Sequence, residues 1–308
     1  MIIAWPPDRP VLVTGASGFF GEHLCRRLAA SGVPVVGTWH THAVSIPGAE
    51  IVRVDMTDTA AVDRLVREAA PAAIVHAAAM TQTAACEQHP EAAHAAIVGA
   101  TTALCAAATR HVPRAPLIAL STDLVFDGRE APYSPSAAPK PLMAYGSLKW
   151  AAEQPVLGLP TGCVVRSALM YGAPVTHKAS FLGWMRSALE AGERLTLFED
   201  EWRTPVFADD LCRALEGLLR RGATGVWHGG GPERLNRLQM GQAVCRVWGY
   251  EEELLAPVRL ADSPTPAARP ADVSMDSAAT WATAGIKPKD FEAGLRETKA
   301  KIEATNSP

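Results

Sequence analysis

Apolar residues come in short runs along the first half of the chain. Each run ends in glycine or polar residues and leads into a stretch with helical spacing. PVLVTGASGFFGEHLCRRLAASG passes from a strand, Val11 to Thr14, through glycines into an amphipathic helix. VPVVGTW is a second strand, IVRVDMTD a third, AVDRLVREAA a helix and AAIVHAAA a fourth strand. PEAAHAAIVGATTALCAAATR reads as a long Ala-rich helix and APLIALSTDLVF as a fifth strand. GCVVRSALMYG is a sixth, after the helix that carries Tyr145. Strands alternating with helices at this spacing predict an α/β fold built on a doubly wound parallel sheet. Beyond Gly172 the rhythm breaks. SFLGWMRSALEAG, FADDLCRALEGLLRRG and LNRLQMGQAVCRVWG are helices, and LADSPTPAARPADV is a turn-rich surface segment. The expected division is a sheet domain over 1–172 and a smaller C-terminal cap over 173–308, with part of 203–228 returning to the sheet domain.

Composition narrows the partners. The 308 residues are 48% hydrophobic and carry a net charge of −3 without a basic block, which argues against nucleic acid. Cys25, Cys86, Cys105, Cys163, Cys212 and Cys245 are scattered, with no CxxC and no signal peptide before them. They read as reduced core thiols of a cytoplasmic protein. The apolar stretches look short and interrupted, so no membrane span is expected. His40 with His42, and His89 with His94, lack further ligands, so no metal site is expected.

Two motifs carry chemistry. TGASGFFG places Gly15, Gly18 and Gly21 between the first strand and its helix. Gly15 permits the tight turn, Gly18 lets a pyrophosphate approach the backbone, and Gly21 lets the helix pack on the strand. Free N–H groups and the helix dipole then face the anion, so Gly15, Ser17, Gly18, Phe19, Phe20 and Gly21 are the candidate contacts of a dinucleotide-binding Rossmann domain. AYGSLK places Tyr145 four residues before Lys149, on one helix face. An ammonium beside a phenol favours phenolate and makes an acid-base group usable near neutral pH.

The GxxGxxG spacing together with YxxxK resembles the extended short-chain dehydrogenase/reductase family, nearly end to end. VDMTD is similar to its adenine contact, with Asp55 and Met56. HAAA is similar to its small-residue strand end, Ala77, Ala78 and Ala79. STDLVFDG carries its hydroxyl motif, with Thr122 in the catalytic position. VVRSALMYG matches its sixth strand, with Arg166, Ala168, Tyr171 and Gly172, and RTPVFADDL its return from the substrate region. Within the family, the stretches after Ser121 and after Asp262 are most similar to dTDP-4-dehydrorhamnose reductase and to the regulatory β subunit of methionine adenosyltransferase.

The resemblance implies a NAD(P)H-dependent ketoreductase acting on a sugar nucleotide or related carbonyl compound. Tyr145 would donate the proton and Thr122 would hold the carbonyl oxygen. Lys149 would hold the nicotinamide ribose and lower the pKa of Tyr145. A cofactor-binding regulatory subunit without turnover and a sugar-nucleotide epimerase are the alternatives, and a homodimer is compatible with all three. Two departures bear on this. Ala96 stands where the family has an asparagine that supports the lysine, and Leu124 stands where rhamnose-type reductases have tyrosine and dehydratases glutamate. VVGTWHTH contains no acid to hold a ribose 2′-hydroxyl, so NADP(H) is favoured over NAD(H), with Thr38, His40 and His42 toward the phosphate. Thr81, Gln82 and Asp123 are candidate substrate contacts. Arg203 is read either as an anion contact or as an interdomain salt bridge. His177 and Lys178 precede a helix and read as a nucleotide contact or as solvated loop, and Trp184 reads as core.

Overall fold

The computed structural model describes residues 8–175, 180–262 and 269–306. Strands β1 (Val11–Thr14), β2 (Val35–Trp39), β3 (Glu50–Arg53), β4 (Ala73–His76), β5 (Leu117–Thr122), β6 (Gly162–Ser167) and β7 (Gly225–Gly229) form a seven-stranded sheet. Their order is β7-β6-β5-β4-β1-β2-β3, and every pairing is parallel. Both faces are covered, which is why the strands read as unbroken apolar runs. Val11 and Val13 of β1 point into one apolar layer and Leu12 into the other.

Helices α1 (Phe19–Ala30), α2 (Thr59–Ala69), α3 (Thr83–Gln88), α4 (Pro90–His111) and α5 (Ala144–Leu157) follow the first strands in turn. Later come α6 (Phe181–Glu190), α7 (Ala208–Arg220), α8 (Arg237–Trp248), α9 (Ala278–Ala284) and α10 (Phe291–Asn306). Leu24 and Leu28 of α1 share a layer with Leu211 and Leu215 of α7 and Trp281 of α9. Val62 and Leu65 of α2, Leu104 of α4 and Val156 of α5 fill the opposite layer. A further core gathers Leu182 and Met185 of α6, Met240 and Val244 of α8, and Phe291 and Leu295 of α10 around Tyr171. The order in which strands are added reverses between β1 and β4, so ligands are expected outside the carboxyl ends of these two parallel strands.

Three expectations change. The sixth strand stops at Ser167, and Met170–Tyr171 forms its own parallel pair with Val206–Phe207. Helix α4 runs for 22 residues at a mean hydropathy of 1.4, long and apolar enough to cross a membrane by length and composition. It is half buried and packs on α2 and α5, so its apolar face serves the sheet core. Trp184 is 48% exposed, because Leu182, Met185 and Leu189 take the buried face of α6 and leave it on the other.

Candidate active site

The turn after β1 is built by close backbone approach. Gly15 adopts φ 75°, and a Cβ there would lie 2.8 Å from the Ala78 nitrogen. A Cβ at Gly21 would lie 2.1 Å from the Gly15 carbonyl oxygen, so only glycine lets α1 begin this close to the turn. Gly18 precedes α1 and provides no side-chain cap, which leaves the first-turn N–H groups to an incoming anion. Ser17 and Phe19 are half-buried at this turn, and the Phe19 ring meets His23 edge-on at 4.9 Å. The side chains of Phe20 and Met56 are packed in the two sheet layers. Ala168 is buried beside Val125 and Phe126. The side chains of these three are thus taken up by packing.

Thr38 is placed differently from the expectation. It is buried, and its hydroxyl accepts the Gly15 N–H at 3.1 Å while its carbonyl accepts Ala16 N–H at 2.7 Å. It supports the turn from below instead of facing a phosphate. His40 lies in the open, 3.6 Å from Asp55. The other Asp55 oxygen accepts the Thr57 hydroxyl at 2.7 Å and its N–H at 2.9 Å, and these bonds hold the carboxyl below its usual range. Arg53 escaped notice because it lies outside VVGTWHTH. The register of β2 and β3 brings it opposite Trp39.

The AYGSLK helix is set by its glycine. A Cβ at Gly146 would lie 2.1 Å from the Leu124 carbonyl oxygen, so the start of α5 rests on the turn that ends β5. Glu87 of α3 caps the same helix by accepting Ala144 N–H at 2.8 Å. This contact sets the Tyr145 side chain beside Thr122, whose own hydroxyl donates to Asp123 at 3.2 Å and accepts Leu124 N–H at 3.2 Å. Leu124 therefore contributes its backbone to the site. Ala77 and Ala78 flank the turn layers, and Ala79 packs with Tyr145, Leu148, Cys86 and Ile97. The small strand end thus joins the glycine turn to the tyrosine.

The expected tuning of Tyr145 is reversed. Burial raises its phenol above the usual tyrosine range, Asp123 and Cys86 add to the rise, and the Thr122 hydrogen bond opposes it. Lys149 shares the helix face, but its ammonium is buried and donates to the Leu120 carbonyl at 2.5 Å. Burial lowers that ammonium to about 8, with Glu153 opposing. Glu153 accepts both arms of Arg166 at 3.0 and 2.8 Å and the Ser121 hydroxyl at 2.6 Å. Arg166 thus ties β6 to α5. Ala96 falls within a π-helical stretch of α4, Ala95–Gly99, and offers no polar side chain toward Lys149.

Next to Thr122, Asp123 is buried, and burial raises its carboxyl against the pull of Arg203 and Arg237. Arg203 lies 3.8 Å from Asp123 and 2.9 Å from Glu201. Glu201 also receives Arg237 at 2.8 Å and Arg269 at 3.7 Å. Three guanidiniums therefore surround one carboxylate beside Asp123, a convergence that a linear reading did not anticipate. Thr81 and Gln82 are exposed ahead of α3. His177 and Lys178 lie outside the described residues.

A family profile described as RmlD substrate binding domain matches residues 9–304. The chain belongs to this family. It is a branch of the extended short-chain dehydrogenase/reductases, the NAD(P)-dependent oxidoreductases that TGASGFFG and AYGSLK resemble. The chain is similar to a dTDP-4-keto-6-deoxy-D-glucose reductase of Streptomyces niveus, 33% identical over 80% of this chain and 81% of the relative. It is also similar to methionine adenosyltransferase 2 subunit beta of Mus musculus, 30% identical over 95% of this chain and 87% of the relative. Both likenesses expected from the sequence are thus present in this RmlD-family chain. In fold it is similar to the dTDP-4-dehydrorhamnose reductase of Bacillus anthracis solved with NADP, with a TM-score of 0.80 and 22% identity, covering 95% of this chain and 99% of that one.

Proposed function

We propose that this RmlD-family protein is a NAD(P)H-dependent ketoreductase that reduces a carbonyl group of a sugar nucleotide. The observation that carries the reading is the meeting of the Tyr145 and Thr122 hydroxyls at a strand end whose alanines reach back to the glycine turn. A Cβ at Gly15 would strike the Ala78 backbone and one at Gly21 the Gly15 carbonyl, so the tight strand–turn–helix that a pyrophosphate site requires closes here only on glycine. Gly15, Ser17, Gly18 and Phe19 would hold the pyrophosphate, and Asp55 with Met56 the adenine. A nicotinamide cofactor supplies the hydride when bound. Thr122 would fix the substrate carbonyl oxygen, and Tyr145 would deliver the proton to it. Lys149 is the cation assigned to the ribose hydroxyls. The cluster of Arg203, Arg237 and Arg269 on Glu201 carries surplus positive charge, which supports an anionic, diphosphate-bearing substrate. Residues 173–308 would act mainly as the substrate-binding cap, with part of 203–228 returning to the sheet domain, and NADP(H) would be the preferred cofactor.

The test is to follow NADPH oxidation by the purified protein against a panel of keto-sugar nucleotides and small ketones. Turnover of a dTDP- or UDP-linked keto sugar, abolished by Tyr145→Phe, is the expected result. A second reading, a cofactor-binding regulatory subunit, draws on the likeness to methionine adenosyltransferase 2 subunit beta and on Lys149 facing Leu120 instead of Tyr145. NADPH binding without turnover of any carbonyl, together with a stable complex with a methionine adenosyltransferase, would favour it.

A further inference from the structure

The segment after β2 has no acid and no arginine of its own, yet an arginine stands beside it. Trp39, the last residue of β2, is in register with Arg53 of β3. Side chains alternate along β3: Ile51 packs in the layer of Leu24 and Cys25 from α1, while Val52 and Val54 pack in the layer of α2 and α4. Alternation places Arg53 on the face of α1, the helix whose amino end closes the Gly15–Gly21 turn. The Arg53 guanidinium lies 5.5 Å from the centre of the Trp39 ring. Its Nε donates to the His40 carbonyl at 3.3 Å. The side chain is exposed, and among the described residues no carboxylate pairs with it and its terminal amino groups meet no acceptor. The nearby acid, Asp55, is engaged by Thr57 and faces His40.

An adenosine ribose outside the carboxyl end of β2 meets this segment at its 2′ position. A guanidinium with both terminal amino groups unused suits a phosphate monoester there, because its planar fork can give two parallel charge-assisted hydrogen bonds. We propose that Arg53 is the specificity-determining residue that selects NADP(H), by pairing with the 2′-phosphate while resting on Trp39. This inference rests on the reading of the Gly15–Gly21 turn as a dinucleotide site.

Calorimetric titration of wild type and Arg53→Ala with NADPH, NADH, 2′,5′-ADP and 5′-AMP tests it without any substrate. In Arg53→Ala the affinity for NADPH and 2′,5′-ADP should fall about tenfold to a hundredfold, as for loss of hydrogen bonds to a charged group. Affinity for NADH and 5′-AMP should stay within about twofold, because Arg53 contributes only to recognition of the 2′-phosphate. Arg53→Glu should reverse the preference. An unchanged NADPH to NADH ratio in Arg53→Ala, with both cofactors binding, overturns the inference and leaves the reductase reading standing. A wild type that binds neither dinucleotide defeats that reading and the inference together.

Discussion

The Thr14 hydroxyl lies 2.7 Å from Nδ1 of His76, across the two parallel strands where the strand order switches. The other ring nitrogen lies 3.0 Å from the Thr101 hydroxyl, which donates to the Ile97 carbonyl at 2.6 Å. That donation fixes the tautomer: Nε2 carries the proton and Nδ1 accepts from Thr14. The Thr14 oxygen in turn accepts the N–H groups of Ala77 and Ala78 at 3.2 and 3.3 Å. A charged imidazole has no place here, and burial lowers His76 to about 3, with Lys149 adding to the fall.

Acid should therefore loosen the fold at this point. Folded His76 binds fewer protons than an unfolded histidine between its folded value and the ordinary one near 6.5. Its contribution is fully present above about pH 6.5 and is lost as pH falls toward 3. The loss amounts to roughly 2 kcal/mol by pH 5 for this one group. Urea unfolding of wild type and His76→Gln between pH 7 and pH 4 measures it. The variant, which keeps a donor and cannot charge, should show the shallower decline, and equal declines would remove His76 as the cause.

Tyr145→Phe should lose most turnover and keep dinucleotide affinity within about twofold, because only the hydroxyl facing Thr122 is removed. Thr122→Ala should lose on the order of 10²-fold in kcat, as for one positioned donor. Lys149→Met should harm both affinity and turnover. Steady-state kinetics on a substrate found by the panel, beside titration of the cofactor, separate the three. Wild-type rates in Tyr145→Phe would end the proton-donor assignment.

The pH profile should report Lys149 and not Tyr145. The phenol, raised by burial, stays protonated across the neutral range. The ammonium, lowered to about 8, is charged below that value and neutral above it. Carbonyl reduction measured as kcat/KM should therefore fall as pH rises through about 8. Lys149→Arg should move that limb upward in whatever activity it retains. A limb near pH 6 to 7 would instead mark a tyrosine tuned by its lysine.

Gly146→Ala adds a Cβ 2.1 Å from the Leu124 oxygen and must push α5 off the β5 turn. The expected cost is roughly 1–3 kcal/mol of stability and a loss of turnover of at least about tenfold, since Tyr145 moves away from Thr122. Thermal unfolding and kinetics together check this. Unchanged turnover would show that the helix position does not set the site.

Thr38→Val removes the hydroxyl that accepts Gly15 N–H. About 1–3 kcal/mol of stability should go, and NADPH and NADH should weaken in parallel because the turn itself loosens. A selective loss of NADPH in isothermal titration would instead return Thr38 to the phosphate.

The sheet was legible because a strand buried on both faces must be an apolar run, and each run here is closed by glycine or polar residues. GVWHG, the seventh strand, is short and carries a histidine, so only the return of the segment could be expected. Tyr145, Lys149 and Thr122 were legible as motif positions. Their electrostatics were not: helical spacing shows that a phenol and an ammonium share a face, but not that the ammonium turns to Leu120 or that Asp123 is buried beside the phenol. Arg53 and the guanidiniums around Glu201 depend on strand register and on contacts between distant segments, which no local window contains.

Beyond β6 the chain leaves the sheet for Tyr171 and α6, then returns through α7 to β7. It leaves again for α8, comes back with Val273 and Trp281, and ends in α10 against Tyr171. Among the described residues, several separate crossings of the chain therefore tie the sheet layers and the Tyr171 core together. They also make the cofactor half a poor tenant on its own. A fragment ending at Gly172 would lack Leu211, Leu215 and Trp281, and would open to water the layer in which Ile118, Leu120, Cys163 and Val165 are packed. The glycine turn and the segments beyond Gly172 therefore make one folding unit.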